Sequence, residues 1–337
     1  MRKRDNEGIS KAIMKKALIC GVSGQDGAYL AQFLLNKGYE VSGTSRDAQV
    51  ANFSNLIKLG IKERVTLLSM AQNDFRSVLN TLTRAQPDEV YFLSGQSSVS
   101  LSFDQPTESI DSTVYGVLNL LEAIRFLNKR IKLYNASSSE CFGEVPYGES
   151  SDEHSPFRPR SPYGVAKSSA HWLVTNYRES YNLFCCNGIL FNHESPLRPE
   201  RFVTRKIVSA ACRIKAGSKE RLQLGRLEIA RDWGWAPDFV DAMWRILQAE
   251  LPDDYVVATG KTHTLEDFVN QVFSTLGLRW QDHVDVDASL FRPSDILNSA
   301  GNPSKAYESL GWKAETAFPQ LIEKLISHEL TYQSKSK

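Results

Sequence analysis

A glycine-rich turn between a short apolar strand and a helix, close to the N-terminus of this 337-residue chain, is the feature that most constrains its fold. Residues 17–41 pass from an apolar run through Gly21-x-x-Gly24-x-x-Gly27 into a helical pattern and then a second apolar run, which predicts a strand, a helix and a strand. Alternating strand and helix patterns continue as RVTLLSM, FRSVLNTLTRA, DEVYFLS, TVYGVLNLLEAIRFLN and KLYNASS. Such alternation is typical of a parallel sheet with helices on both faces. We therefore predict the α/β class, with a doubly wound parallel-sheet Rossmann domain.

The three glycines indicate a candidate function for this turn. Glycines let the backbone approach a pyrophosphate, and the N-terminus of the following helix offers it free N–H groups. This predicts a dinucleotide site, with a purely structural turn as the alternative. The second strand ends in Arg46-Asp47, where an arginine would accommodate the 2′-phosphate of NADP and a carboxylate would bind the ribose hydroxyl of NAD. Arg46 comes first, so we expect NADP; NAD and a solvated surface ion pair stay open.

A second candidate site begins at a predicted helix start, where Ser161 suits the N-cap and Pro162 the first helical position. Tyr163 and Lys167 are one helical turn apart, and Tyr163 is the only tyrosine of the sequence with a lysine four residues later. The helix follows a strand that ends in Ser137-Ser138-Ser139-Glu140. These side chains would lie at the carboxyl end of the sheet, where ligands bind in such folds. A tyrosine beside an ammonium group can act as a base toward an alcohol. The alternative is a surface helix with capping serines.

Composition excludes several classes of protein. The 40 Lys and Arg residues against 39 Asp and Glu residues give a net charge of +1, so we expect no nucleic-acid partner. No apolar run approaches the roughly 18 residues of a membrane span, and the basic N-terminus lacks the apolar segment of a secretion signal. The five cysteines form no CxxC pair and lie mostly in apolar runs. We therefore expect buried, reduced thiols, no metal site, no membrane contact and a cytoplasmic protein.

The alternation of strands and helices ends near residue 190. Beyond it lie loops rich in proline, arginine and aromatic residues, with scattered helix patterns such as those at 237–251 and 264–276. This half of the chain therefore predicts a lid or substrate domain. The predicted organisation is a disordered tail over 1–14, a dinucleotide-binding domain over 15–190 plus about 232–258, and a smaller domain over about 191–231 plus 259–330.

The order of these motifs resembles the extended short-chain dehydrogenase/reductase superfamily. Within it, longer stretches resemble the GDP-mannose 4,6-dehydratase family. These stretches are GQDGAYLAQFLLNKGYEV, FRPRSPYGVAKSSAHW, NGILFNHESP, FVTRKI, ARDWGWAPDFVDAMW, DDYVVATG and NPSKAYESLGWK. The resemblance covers about residues 15–330 and is more specific than either short motif.

The resemblance implies a lyase that acts on a GDP-sugar by intramolecular hydride transfer, with the smaller domain a mixed α/β nucleotide-sugar domain. It implies that Tyr163 and Lys167 are the catalytic pair. Ser138 would be a hydroxyl donor to the sugar O4, and Glu140 would work at C5 and C6. Its cofactor-binding residues would be Gly21, Gly24, Gln25, Asp26, Gly27, Arg46, Tyr163 and Lys167. Its substrate-binding residues would be Asn192, Thr204, Lys206, Arg231 and Arg292. The family also pairs through helices near 113–127 and 161–181, which implies a homo-oligomer, a dimer at least.

Some positions depart from the family pattern. Asp47 stands where a second arginine is common, and Ser69-Met70 where an aspartate usually meets the adenine. Pro199 lies in Leu197-Arg198-Pro199-Glu200-Arg201, in place of an arginine-rich loop that reaches a neighbouring subunit's cofactor. Asp295 replaces a glutamate. These departures leave open NADP against NAD, dimer against tetramer, and the identity of the nucleotide and the sugar.

Two other functions stay open from the sequence. An epimerase or 4-ketoreductase on a related nucleotide sugar would share Tyr163 and Lys167 but would need no carboxylate at Glu140. A catalytically silent nucleotide-sensing module could have altered cofactor contacts, although the complete set of Ser138, Glu140, Tyr163 and Lys167 argues against it.

Overall fold

The computed structural model describes residues 14–127, 130–291 and 294–335. Within these ranges the strands are β1 Lys16–Cys20, β2 Glu40–Ser45, β3 Thr66–Ser69, β4 Glu89–Phe92, β5 Lys132–Ser138, β6 Cys185–Leu190, β7 Asn192–Glu194, β8 Leu222–Leu224, β9 Ala230–Trp235, β10 Tyr255–Val257, β11 Thr262–Thr264, β12 Val284–Val286 and β13 Asn298–Ser299. The α-helices are α1 Gln25–Asn36, α2 Ser54–Lys58, α3 Phe75–Ala85, α4 Val99–Asp104, α5 Pro106–Ile110, α6 Gly116–Leu127, α7 Pro162–Tyr181, α8 Val203–Lys215, α9 Ala236–Gln248, α10 Leu265–Thr275, α11 Ser304–Leu310 and α12 Phe318–Lys335. A π-helical turn over Asp111–Tyr115 joins α5 to α6.

Seven parallel strands form the main sheet, in the order β10-β6-β5-β4-β1-β2-β3. The chain starts at β1, runs outward to β3, and returns to β4 on the other side of β1. The strand order therefore reverses between β1 and β4, which is where α/β sheets of this kind bind ligands, beyond the carboxyl ends of the strands. The predicted α/β class and doubly wound parallel sheet are confirmed.

The first strand shows how both faces of this sheet are covered. Ala17 and Ile19 lie in a core that includes Leu30 of α1 and Met243 of α9. Leu18, which points to the opposite face, lies in a second core with residues of α3, α6 and α7. Strands buried on both faces read as continuous apolar runs, which is why this part of the chain was predictable.

A smaller set of strands lies beyond the main sheet. β9 pairs with β7 and β13 in parallel and with β11 antiparallel, and β8 pairs with β12. Helices α8, α10 and α12 pack together around a separate core, for example through Ile207, Phe268 and Leu321. The strand and helix patterns of the sequence indicated only scattered helices and loops in this half, whereas the family resemblance implied the mixed α/β arrangement that the structure has here. These strands have two to six residues and pair across long separations, so they leave almost no period-two pattern.

The structure also bears on the predictions for the cysteines, the N-terminal tail and membrane-spanning segments. All five cysteines are buried and unpaired, as expected. Residues 1–13 of the predicted tail lie outside the described residues, and the proposed domain bounds remain a prediction. Among the helices that the structure describes, none is long and apolar enough to cross a membrane.

Candidate active site

The glycine turn forms a tight backbone cradle at the carboxyl end of β1. Gly21 has a φ of +86°, and a Cβ there would lie 2.9 Å from the Cα of Ser94. A Cβ on Gly27 would lie 2.7 Å from the Cα of Val22, so only glycine lets α1 approach β1 this closely. Gly24 is the N-cap of α1 and supplies no side-chain cap, which leaves the helix N-terminus open to a phosphate. The turn therefore fits a dinucleotide pyrophosphate.

The loop after β2 contains Arg46 and Asp47, the two residues that left the choice between NADP and NAD open in the sequence. The Arg46 side chain is 83% exposed, and its Nη2 lies 3.4 Å from Oε1 of Glu108. Asp47 accepts a hydrogen bond from the Gln49 N–H at 2.9 Å, which stabilises the loop that follows β2. An exposed ion pair of this kind contributes little, so Arg46 is free to turn toward a ligand.

Helix α7 begins as the sequence predicted. Ser161 caps it by accepting a hydrogen bond from the Gly164 N–H at 3.0 Å, and Pro162 is its first residue. Lys167 lies one turn after Tyr163, with Nζ 5.8 Å from the centre of the Tyr163 ring. Lys167 Nζ also donates a 2.8 Å hydrogen bond to the Ala136 carbonyl of β5. The tyrosine and the lysine are therefore brought together near the carboxyl end of β5, an interior strand of the main sheet.

Burial sets the electrostatics of this pair. It lowers the pKa of Lys167 to about 8, so the ammonium is charged at neutral pH and titrates more readily than a surface lysine. Burial also raises the pKa of Tyr163 well above that of a free phenol; the Ser138 hydroxyl opposes this shift and the Glu140 carboxylate adds to it. The chain by itself therefore holds Tyr163 protonated, and a cationic ligand is needed to make it a base near neutrality.

The end of β5 supplies the other two candidates. Ser138 is the last residue of the strand, and its Oγ accepts a hydrogen bond from the Glu140 N–H at 3.3 Å. Ser138 and Glu140 line one cavity of about 780 Å³ together with Tyr163 and Lys167. The four predicted catalytic residues thus share one site.

The same cavity extends toward the smaller sheet. Among its lining residues are four predicted substrate residues, namely Asn192, Thr204, Lys206 and Arg231. Arg231 is 6% exposed and donates to the Ala230 carbonyl at 2.8 Å. Lys206 Nζ donates to the Gln223 carbonyl at 2.7 Å. The fifth predicted residue, Arg292, lies outside the described residues.

Several lining residues were not among the predicted site residues. Glu194 is 2% exposed; it accepts a 2.7 Å hydrogen bond from Thr204 Oγ1 and lies 3.1 Å from Nε of Arg198. Arg226 also lines the cavity, with its Nε 3.7 Å from Oδ2 of Asp295. His193 lines the cavity as well, in contact with Asp26. His193 and Glu194 belong to the polar stretch NHE, which is too short to be recognised from its pattern as the strand β7.

Comparison with known proteins identifies the family. A family model described as GDP-mannose 4,6 dehydratase matches residues 18–325 of this chain. The chain belongs to the GDP-mannose 4,6-dehydratase family. GDP-mannose 4,6 dehydratase 1 of Arabidopsis thaliana is 46% identical over 333 residues, which cover 96% of this chain and 92% of that protein. GDP-mannose 4,6-dehydratase of Vibrio cholerae is 40% identical over 353 residues, covering 94% of each.

Solved structures similar to this member of the GDP-mannose 4,6-dehydratase family include complexes with nicotinamide cofactors. UDP-glucose 4-epimerase of Thermus thermophilus in complex with NAD is 26% identical with a TM-score of 0.81, covering 93% of this chain and 98% of that one. RMD of Pseudomonas aeruginosa in complex with NADPH is 22% identical with a TM-score of 0.77, covering 95% and 99%. The resemblance found in the sequence is therefore confirmed at the level of the family and the fold.

Proposed function

We propose that this protein is a lyase that converts GDP-mannose to GDP-4-keto-6-deoxy-mannose. Family membership supports the overall reaction. The observation that carries the proposal is that Glu140 lines the same cavity as Tyr163 and Lys167, because an epimerase or ketoreductase needs the tyrosine and lysine but not this carboxylate. Elimination of water from C5 and C6 requires a group that removes the C5 proton and another proton transfer to the departing hydroxyl.

The residues that would hold the cofactor are Gly21, Gly24, Gln25, Asp26, Gly27, Arg46, Tyr163 and Lys167. When bound, the nicotinamide supplies reversible hydride storage, taking a hydride from C4 and returning one to C6. We infer NADP rather than NAD, supported by the exposed Arg46 side chain at the end of β2. The carboxylate of Glu108 beside it is the group that a 2′-phosphate would have to displace.

Each catalytic side chain then has a distinct task. Tyr163 takes the proton of the C4 hydroxyl as that carbon becomes a ketone, and the Ser138 hydroxyl donates to the same oxygen. The positive charge of Lys167 favours the tyrosinate. The new ketone makes the C5 proton acidic; Glu140 removes it and passes it to the C6 hydroxyl, which leaves as water. A proton returned to C5 from the solvent-exchangeable groups completes the product, so substrate equals product plus one water.

The nucleotide half of the substrate would bind where the cavity meets the smaller sheet. Lys206 and Arg231 are the proposed partners of the diphosphate, since charge-assisted hydrogen bonds to phosphate are strong. Asn192 and Thr204 are the proposed polar contacts, with Arg292 as a further one by family resemblance. The buried Glu194 holds the Thr204 hydroxyl in its present orientation.

We further propose a homo-oligomer, a dimer at least, formed through α6 and α7. Large apolar side chains are exposed on these helices: Val165 and Trp172 are 44% and 58% exposed, and Phe126 is 71% exposed. Val165 and Trp172 are two helical turns apart on one face of α7, which supports a helical seam.

Isotope transfer tests the reaction itself. GDP-mannose carrying deuterium at C4 should give a product with that deuterium at C6. In deuterated water, unlabelled substrate should give one solvent deuteron at C5. A product without the C4 label at C6 would mean that hydride is not returned within the sugar, and the epimerase or reductase alternative would replace the dehydratase.

The Glu140→Gln variant separates the two halves of the reaction. Tyr163 stays in place, so the absorbance of reduced nicotinamide should build up while dehydration stalls. Glu63→Gln, at an exposed position before β3, is the matched control and should behave as the native protein does. Dehydration by Glu140→Gln at nearly the native rate would remove the carboxylate from the mechanism.

A further inference from the structure

A partly buried ion pair joins the glycine turn to the strand that carries the substrate candidates. Nε2 of His193, in β7, lies 2.9 Å from Oδ2 of Asp26, in the first turn of α1. His193 is 7% exposed, and its ring stacks on Phe239 of α9 with 4.5 Å between ring centres. The pair is therefore held from three elements and lies next to the cavity.

The hydrogen-bond partners of His193 determine its protonation. Nδ1 lies 2.7 Å from the carbonyl oxygen of Phe191, which can only accept, so Nδ1 carries a hydrogen. An ionised carboxylate also only accepts, so Nε2 carries a hydrogen when it donates to Asp26. The arrangement is that of an imidazolium beside a carboxylate.

Gln25 closes a network around this pair. Its amide group donates to the His193 carbonyl at 3.2 Å and to Asp26 Oδ1 at 2.9 Å, and its oxygen accepts from Ser195 Oγ at 2.8 Å. Two consecutive residues of the cofactor turn are thus bonded to His193 and Ser195, which follow Asn192. A displacement of either segment must be shared by the other.

We propose that Asp26 and His193 are positioning residues that couple the binding of the dinucleotide to the binding of the nucleotide sugar. The inference rests on the proposed function, since it takes the glycine turn as the cofactor site and the β7 region as the substrate site. A dinucleotide that orders the turn also orders β7 and its neighbours Asn192 and Glu194. By linkage, the nucleotide sugar must tighten dinucleotide binding by the same factor.

The charges around the pair set how this coupling depends on pH. Burial by itself would lower the pKa of His193, but the Asp26 carboxylate outweighs burial and the repulsion of Arg198 and raises that pKa above its usual value. Burial likewise opposes ionisation of Asp26, yet His193 and its other partners keep the pKa of Asp26 lowered. Arg198, Tyr134 and Lys167 also interact electrostatically with Asp26. The coupling is therefore complete below the ordinary histidine pKa and is lost as the pH rises through the raised pKa of His193.

A binding cycle tests the proposal without turnover. The dissociation constant of NADP⁺ is measured by calorimetry with and without saturating GDP, and that of GDP with and without saturating NADP⁺. The native protein should show the same tightening in both directions, about fivefold or more. His193→Gln should reduce the factor to roughly twofold or less, and the double variant with Asp26→Asn should lose no more than the single one, because the two residues act as a pair.

The single variant Asp26→Asn removes the negative charge of the carboxylate but keeps a hydrogen bond between the side-chain amide and the His193 ring. It therefore tests whether the coupling depends on the charge or on the contact. Its coupling factor should be reduced to about the value that the native protein has above the raised pKa of His193, and it should not fall further over the pH range in which the native factor falls. His171→Gln is the matched control: it breaks another buried histidine–carboxylate contact, with Asp254 at 3.5 Å, and should leave the coupling factor as it is in the native protein. Independent binding of NADP⁺ and GDP in the native protein, or an unchanged factor in His193→Gln and Asp26→Asn, would overturn the inference alone. Absence of GDP binding would overturn the proposed function with it.

Discussion

Lys167 Nζ donates a 2.8 Å hydrogen bond to the carbonyl oxygen of Ala136, two residues before Ser138 in the same strand. This bond joins the first turns of α7 to the end of β5, the two elements that carry three of the four proposed catalytic groups, with Glu140 in the turn that follows β5. It also keeps an ammonium group in a buried position, at the cost reflected in the lowered pKa of Lys167. Activity and stability therefore make opposite demands on this residue.

Lys167→Met should be inactive but more stable. The change in pKa from 10.5 to about 8 corresponds to about 3 kcal/mol of unfavourable burial of charge, partly offset by the hydrogen bond to Ala136. We expect the free energy of unfolding at pH 7 to rise by on the order of 1 kcal/mol and turnover to fall roughly hundredfold or more. Thermal unfolding and turnover measure the two effects.

The pH dependence of stability supplies a second test of Lys167. Because the folded protein has the lower lysine pKa, the native chain should gain stability between pH 8 and 10.5 relative to the variant. Lys58→Met, at an exposed position in α2, is the control and should change neither stability nor turnover. A Lys167→Met protein that is less stable at pH 7 would contradict the prediction.

Two glycines of the cofactor turn should respond differently to alanine. Gly24 has a φ of −71°, and a Cβ there would lie 3.4 Å from the Gly21 carbonyl oxygen, so Gly24→Ala should fold normally. It should still weaken dinucleotide binding, because the methyl group lies on the open helix N-terminus. Gly27→Ala forces a Cβ against Val22 and should cost about 1–3 kcal/mol of stability as well as affinity. Calorimetry and thermal unfolding of both variants check this; equal unfolding temperatures would be the contrary result.

Cofactor choice should depend on Arg46 and its partner Glu108. A contact between a guanidinium and a phosphate is worth about 1.5–3 kcal/mol, so Arg46→Ala should weaken NADP⁺ binding roughly tenfold or more with little effect on NAD⁺. Glu108→Gln should strengthen NADP⁺ binding, because it removes a carboxylate that competes for the same arginine. Equal or tighter binding of NAD⁺ by the native protein would identify NAD as the cofactor.

Assembly should depend on the exposed face of α7. Light scattering at micromolar concentration should give at least a dimer, and Trp172→Glu should shift the protein toward monomer because it places a charge in an apolar seam. Tyr307→Glu alters an equally exposed aromatic residue of α11, which is 60% exposed, and should leave the oligomer intact. A native monomer would count against the seam; a tetramer would mean that Pro199 does not prevent a second contact.

How far the sequence predicts this molecule depends on where its contacts lie along the chain. The pattern at 75–85 coincides with α3, and KLYNASS coincides with β5, because each has a local period and clear ends. Ser161 and Pro162 fixed the start of α7 by local capping chemistry. Local signals of this kind were enough to predict that the proposed catalytic residues lie together at the carboxyl end of the sheet.

The rest depends on contacts between distant parts of the chain. The partner of His193 is Asp26, 167 residues earlier, and the strands around β9 have no pattern of their own because their pairing partners define them. The position of Glu194 in the wall of the cavity likewise could not be predicted from the sequence. A glutamate is rarely buried unless it is paired, and its partners Thr204 and Arg198 are known only from the structure.

A single residue, Phe191, separates β6 of the main sheet from β7 of the smaller one. It is 1% exposed, its N–H donates to the Val257 carbonyl at 3.0 Å, and its ring stacks on Phe142. The span from Leu190 to Asn192 is therefore a short, well-packed connection of about 7 Å, set by strand geometry at roughly 3.3 Å per residue. It allows the proposed substrate-binding residues of β7 only small shifts relative to the main sheet, such as those that ordering by a ligand would cause. Differences in sugar preference between proteins of this fold should therefore arise mainly from exchanged side chains on β7 and its neighbours.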